Sequence, residues 1–202
     1  MDAQDARWAC PGATGHLDAQ RTTVVRFPQL LTREEVEQIR GLADEVEALD
    51  TSAVLDFSKD PETAHRGAWK TVYLQSGAFR DRLPDTIRQK LTDAVAQADK
   101  AQRWRLLDCE HGVRNAEVHA VGTGGCLPEP THHDTGSLIT LDVMLSSAEE
   151  FDGGEFRTLQ TGGKMKDYEF EQGDAMVFCS YKFHCVSPVT RGTRRVFIKL
   201  LS

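Results

Sequence analysis

Residues 130–145 read Pro130-Thr131-His132-His133-Asp134-Thr135-Gly136-Ser137-Leu138-Ile139-Thr140-Leu141-Asp142-Val143-Met144-Leu145. Two patterns in this stretch decide its reading. In an extended chain, residues i and i+2 point to the same side. His132 and Asp134 can therefore face one point while His133 turns away. Further on, Ile139, Leu141 and Val143 alternate with Thr140, Asp142 and Met144, as in a strand with an apolar layer on one face. If Thr140 and Met144 face a barrel interior, Asp142 does too. An acid in that position must be paired or solvated. Asp142 is therefore predicted to lie in a central cavity, where it meets a cationic substrate group or an internal arginine.

Imidazole and carboxylate suit a divalent transition metal, and two histidines with one carboxylate cover one face of an octahedron and leave three positions open. The second histidine must come from elsewhere: His16, His65, His111, His119 and His184 are the candidates. His184 has the favourable setting. It follows the glycine turn and apolar run Gly173-Asp174-Ala175-Met176-Val177-Phe178 and precedes Val186-Ser187-Pro188-Val189. Ten residues on, Arg194 opens a run in which Arg194, Val196, Ile198 and Leu200 share one face. A buried arginine needs an anion, and its planar fork suits a carboxylate. A dicarboxylate that chelates the metal at one end would place its other end there.

Outward from this centre the texture is β-rich from about residue 104. Short runs at 114–121, 137–145, 155–159, 174–180, 185–190 and 194–201 are separated by glycine turns and predict an antiparallel sandwich or barrel. Upstream, Thr22–Phe27 reads as a strand. Thr32-Arg33-Glu34-Glu35 has the form of a capping box, in which the threonine hydroxyl and the glutamate satisfy each other's backbone N–H groups. Val36, Ile39, Ala43 and Val46 then follow at helical spacing, which predicts a helix over 33–49. Ile87, Leu91, Val95 and Ala98 predict a second helix starting at Pro84. With 202 residues the chain suits one domain. Residues 1–20 are expected to be a flexible arm and 21–202 a single domain, with helical support over 21–103 and a β core over 104–202. The fold class is mainly β with flanking helices.

The balance of 24 basic against 31 acidic residues gives a net charge of −7. It supplies no basic stripe for nucleic acid or an anionic membrane surface. No apolar run approaches the roughly 20 residues a spanning helix needs, and the first 15 residues lack the pattern of a secretory signal. The five cysteines, Cys10, Cys109, Cys126, Cys179 and Cys185, form no CxxC pair. Reduced thiols in a cytoplasmic compartment are expected.

The ordered set His132-x-Asp134, His184 and Arg194 resembles the 2-oxoglutarate- and Fe(II)-dependent oxygenases, specifically their prolyl 4-hydroxylase-like branch. Phe151-Asp152-Gly153-Gly154-Glu155-Phe156 is similar to the family's GGE turn, and 173–178 and 184–194 are similar to its last strands. The resemblance covers roughly residues 114–201. It implies a double-stranded β-helix, a jelly-roll of the cupin type. It further implies Fe(II) on His132, Asp134 and His184, 2-oxoglutarate and O2 as co-substrates, Arg194 on the far carboxylate, and ascorbate as a reductant. The retained Asp134 implies hydroxylation rather than halogenation. Many relatives carry a tyrosine for the far carboxylate where Met144 stands here, so Thr140 is the candidate hydroxyl in its stead.

Three functions are open to this reading: a hydroxylase of protein prolyl or lysyl side chains, a hydroxylase of a small molecule such as a free amino acid, and a non-catalytic cupin-like metal sensor. A buried carboxylate clamp at Arg194 disfavours the third. His119, on a predicted strand, is a candidate for substrate contact; Trp69 and Tyr73 suggest a further strand at the barrel edge. The oligomeric state does not follow from the sequence.

Overall fold

The computed structural model describes residues 22–75, 82–108 and 110–202. The arm predicted over 1–20 lies outside these residues, as do Cys10 and Cys109.

The chain runs through β1 (Val24–Phe27), α1 (Arg33–Leu49), β2 (Val54–Asp56), β3 (Trp69–Tyr73) and α2 (Asp85–Gln102). It continues with β4 (Val113–Gly122), β5 (Leu127–His132), β6 (Ile139–Met144), β7 (Phe151–Gly153) and β8 (Phe156–Leu159). The last elements are β9 (Met165–Asp167), β10 (Ala175–Cys179), β11 (His184–Val186) and β12 (Val189–Leu201). One sheet has the order β1-β10-β6-β12-β4-β3-β2, with β7 pairing β12; the second has the order β5-β11-β8-β9. Every pairing is antiparallel. Two facing antiparallel sheets form the mainly β jelly-roll that the strand texture predicts.

The helices form where the sequence places them. Thr32 accepts the Glu35 N–H through its hydroxyl, and the Glu35 carboxylate accepts the Thr32 N–H, so the capping box is complete. Val36, Ile39, Leu42, Ala43 and Val46 make the buried face of α1. In α2 that face is Ile87, Leu91, Ala94, Val95 and Ala98. These side chains pack with Ile139, Leu141, Val143, Val177 and Phe197 on the outer face of the larger sheet. Each such burial stabilises by about 1.5–3 kcal/mol. A second apolar cluster fills the space between the sheets: Trp69, Leu127, Phe156, Met176, Phe178 and Val186 among others. The alternation read from residues 139–144 thus separates a helix-facing layer from a barrel-facing one.

Two features differ from the expectation. The N-terminal part is not only helical support, because β1, β2 and β3 join the larger sheet. Trp69–Tyr73 is an inner strand, flanked by β4 and β2. The runs at 185–190 and 194–201 are divided differently as well: β11 ends at Val186, and β12 is one 13-residue strand from Val189. Asp174 is fully buried. It accepts from Arg26 Nε at 2.8 Å and from the Gln29 N–H at 2.9 Å, tying β1 to the turn before β10. No helix among the described residues is long and apolar enough to cross a membrane.

Candidate metal centre and co-substrate cavity

His184 on β11 lies opposite His132 at the end of β5. Asp134 follows two residues beyond that strand, and its backbone N–H donates to the Ser180 carbonyl at 2.9 Å. The His-x-Asp pair therefore straddles the strand end rather than lying wholly within it. The two side chains still converge, while the His133 ring turns away and stacks on Tyr181, 5.5 Å between centroids. His132 Nε2 is 3.4 Å and His184 Nε2 3.8 Å from Asp134 Oδ1. Ligand atoms of all three lie within 4.8 Å of one another.

The surroundings prepare these three groups for a cation. His184 Nδ1 donates to the Lys182 carbonyl at 2.9 Å. A carbonyl only accepts, so that nitrogen carries the proton and Nε2 keeps its lone pair facing the centre. Burial lowers the His184 pKa, against the pull of Asp134, and so favours the neutral ligand form. Asp134 shows the opposite balance. Burial raises its pKa, but the charge of His184 and hydrogen bonds from His132 and Thr140 outweigh that and hold the carboxyl down at about 2. Two imidazoles beside an ionised carboxylate, with one side open to a cavity, are the donor set of a facial Fe(II) site.

The cavity beside the cluster is lined by Arg66, Trp69, His119, Asp142, Arg194 and Ile198, together with the three candidate ligands. Arg194 on β12 is 3% exposed, and its Nε has no hydrogen-bond partner. Its guanidinium lies 5.9 Å from the Phe170 ring centroid. Burial lowers its pKa to about 10, with Asp142 pulling the other way. The Gly153-Gly154 turn makes room for it. Gly154 has φ +67, and a Cβ there would stand 2.8 Å from Arg194 Cδ. Gly153, at φ +75, would drive a Cβ to 2.3 Å from the Pro188 carbonyl oxygen. The GGE turn seen in the sequence thus packs directly on the arginine. A buried guanidinium with Nε unpartnered and no ion pair among the described residues, sharing a cavity with the His/Asp/His cluster, fits a ligand with a carboxylate at its far end.

The remaining predicted residues divide. Asp142 lines the cavity, 6% exposed, with Oδ1 unpartnered. His119 lines it too, 5.3 Å from the Trp69 ring and 3.1 Å from Glu117 Oε1. Thr140 needs correcting as the free co-substrate hydroxyl: it donates to Asp134 Oδ2 at 2.6 Å and also meets Ser180 Oγ at 2.9 Å. That bond holds the Asp134 carboxylate in place. Met144 lies opposite Val196 on the inward side and is not among the residues lining the cavity.

Sequence reasoning missed Arg66 in the cavity lining and Glu117 behind it, which meets His119 without lining the cavity. Glu117 shares a strand face with His119, so the alternation applied to 139–144 would have found it. Arg66 sits on a 3-10 turn (Ala64–Arg66), 5.4 Å from the Phe57 ring centroid, and carries no strand signal.

The fold has counterparts among known structures. A Pseudomonas putida prolyl-4-hydroxylase superposes with a TM-score of 0.59 at 19% identity, covering 90% of this chain and 92% of that one. A Trichoplax adhaerens prolyl hydroxylase, in complex with a hypoxia inducible factor peptide fragment, gives 0.61 at 16%, covering 88% and 82%. The fold is therefore the double-stranded β-helix of the 2-oxoglutarate–Fe(II) oxygenases. No family model matches the chain. In sequence, the PKHD-type hydroxylase YbiX of Escherichia coli O1:K1 / APEC is 38% identical over 171 residues, 83% of this chain and 73% of the relative. The chain belongs to the PKHD-type hydroxylase family and is a 2-oxoglutarate-dependent hydroxylase.

Proposed function

We propose that His132, Asp134 and His184 hold Fe(II), that Arg194 grips the far carboxylate of 2-oxoglutarate, and that the enzyme hydroxylates an unactivated C–H bond of a protein prolyl or lysyl side chain. The observation that carries this reading is the buried Arg194 guanidinium, in no ion pair among the described residues, in the same cavity as the His/Asp/His cluster. When bound, the iron supplies activation of O2 coupled to decarboxylation of 2-oxoglutarate to succinate. The chain's own residues do the rest. Thr140 and the Ser180 carbonyl fix Asp134, and the Lys182 carbonyl fixes the His184 tautomer. Arg194 orients the co-substrate so that its keto acid end meets the metal. Phe156 and Phe178, 5.7 Å and 5.2 Å from the His184 ring, exclude water from that side.

The Trichoplax neighbour is bound to a peptide, which supports a protein side chain as substrate. A small amine-bearing molecule is the second reading, favoured by the unpaired Asp142 in the cavity wall. A metal sensor without turnover has no use for the Arg194 clamp. Ascorbate is assigned here as external reductant. A cytoplasmic setting fits Cys126, Cys179 and Cys185, which are free thiols. The test is succinate release from 2-oxoglutarate with Fe(II) in air, which should stop in His132→Ala; undiminished succinate in that variant refutes the ligand assignment.

A further inference from the structure

The cavity wall carries an acid that the reaction described above does not use. Asp142 on β6 and Glu117 on β4 both lie opposite Ile198 of the strand between them, β12. They therefore flank Ile198 on the inward face, roughly 10 Å apart along the sheet at two strand spacings. Glu117 is 7% exposed and is engaged by His119 Nε2 at 3.1 Å and Asn115 Nδ2 at 3.4 Å. Asp142 is 6% exposed, and its Oδ1 meets no donor. No ion pair within 4.0 Å joins it to Arg194, the cavity cation whose charge it senses. Arg66, the other cavity cation, packs over Phe57 and lies beside the charge of Glu129.

Charge balance sharpens the point. Fe(II) and the dianion of 2-oxoglutarate cancel each other. Around the cavity, Asp134 is held by Thr140, Arg66 lies beside the charge of Glu129 and Arg194 is left for the far carboxylate, so Asp142 is the lining group without a counter-charge. Isolated buried carboxylates are costly, and the natural relief is a cation brought in by a ligand. Thr71, directly opposite His119 on β3 and 1% exposed, adds a further hydroxyl without a partner on this inward face.

We propose that Asp142, with Glu117 beyond Ile198, receives a positively charged group of the primary substrate, a protonated amine or guanidinium, and so decides which substrate is hydroxylated. This rests on the cavity being the hydroxylation site. A prolyl ring carries no charge and leaves Asp142 unpaired, whereas a basic side chain or an amine pairs it. Asp142 acts here as a specificity residue and takes no part in the oxidation itself.

The test is calorimetric binding to the protein loaded with Fe(II) and 2-oxoglutarate under anaerobic conditions. The probes are n-butylammonium, n-butylguanidinium and the neutral 1-pentanol. The cations should bind at least about tenfold more tightly than the alcohol. Asp142→Asn, nearly isosteric, should weaken the cations by about 30-fold or more, the effect of removing one partner of a buried charge pair. Glu117→Gln should weaken them less, and 1-pentanol should be insensitive to both. Equal binding of cations and alcohol, no binding of any probe, or a cation preference that survives Asp142→Asn would each overturn the proposal. The comparison of probes on the unaltered protein decides the matter even if a variant fails to fold. Succinate release, measured separately in air, keeps the two readings apart. Its absence removes the hydroxylase assignment, while its presence without cation preference removes only the role of Asp142.

Discussion

Replacing Arg194 with methionine should make the free protein more stable and its grip on 2-oxoglutarate much weaker. Methionine keeps the stem that packs on Gly154 and removes the charge. A guanidinium held at about 10 rather than 12.5 disfavours its own charged form by roughly 3 kcal/mol. Loss of the contact with the Phe170 ring gives back about 1 kcal/mol. A net gain of about 2 kcal/mol in a chain of this length corresponds to a rise of roughly 4–8 °C in Tm. In the complex the sign reverses, because the far carboxylate of 2-oxoglutarate is left buried without a partner. That costs about 2–5 kcal/mol, or roughly 30-fold to several-thousand-fold in Kd. Anaerobic thermal unfolding of the Fe(II) protein, with and without 2-oxoglutarate, reads both effects in one experiment. A variant that is less stable than the parent and binds 2-oxoglutarate unchanged would show Arg194 to be a structural residue and refute the clamp.

Three further outcomes are expected. Thr140→Val removes the 2.6 Å bond that orients Asp134, and Fe(II) affinity measured by competitive chelation should fall about 10- to 100-fold. Burial, followed by the charge of Asp134, raises the Asp142 pKa well above its ordinary value. The folded chain then holds more protons than the unfolded one as pH rises from 3.8 toward the folded pKa, and stability is lost across that window. Asp142→Asn should remove this loss and stabilise the free protein at neutral pH by about 1–3 kcal/mol; urea titrations at pH 4 and pH 7 that show no difference in the variant's effect would contradict it. Burial lowers the Lys199 pKa, and its Nζ has a single bond, to Thr92 Oγ1 at 3.0 Å. Between the lowered folded pKa and 10.5 the unfolded chain binds more protons, so stability rises with pH across that window. Lys199→Met should flatten that rise and add on the order of 1 kcal/mol at pH 7.

Much of the site was legible because strand alternation is a strict period of two. That rule selects His132 over His133, puts Arg194 with Val196 and Ile198 inside the barrel, and places Asp142 in the cavity from the sequence alone. The capping box at Thr32 and the apolar stripes of α1 and α2 were equally local signals. What stayed hidden depended on partners distant in sequence. Nothing near Thr140 says that its hydroxyl is taken by Asp134 and Ser180, a contact made only when β6 and β10 pair. The likeness to relatives put Met144 in the co-substrate pocket; it lies opposite Val196, which lines the cavity, yet its own side chain is not part of that lining. Strands as short as β7 and β9, three residues each, offer too little pattern to read. Arg66 reaches the cavity from a turn with no periodicity at all.

The most direct test of the account is an anaerobic titration of the Fe(II)-loaded protein with 2-oxoglutarate, followed by the visible charge-transfer absorption of the chelate. The account predicts one band that saturates at one iron and one 2-oxoglutarate per chain, vanishes in His132→Ala, and needs far more 2-oxoglutarate in Arg194→Met. A band of full strength in His132→Ala, or an unchanged titration in Arg194→Met, would contradict it.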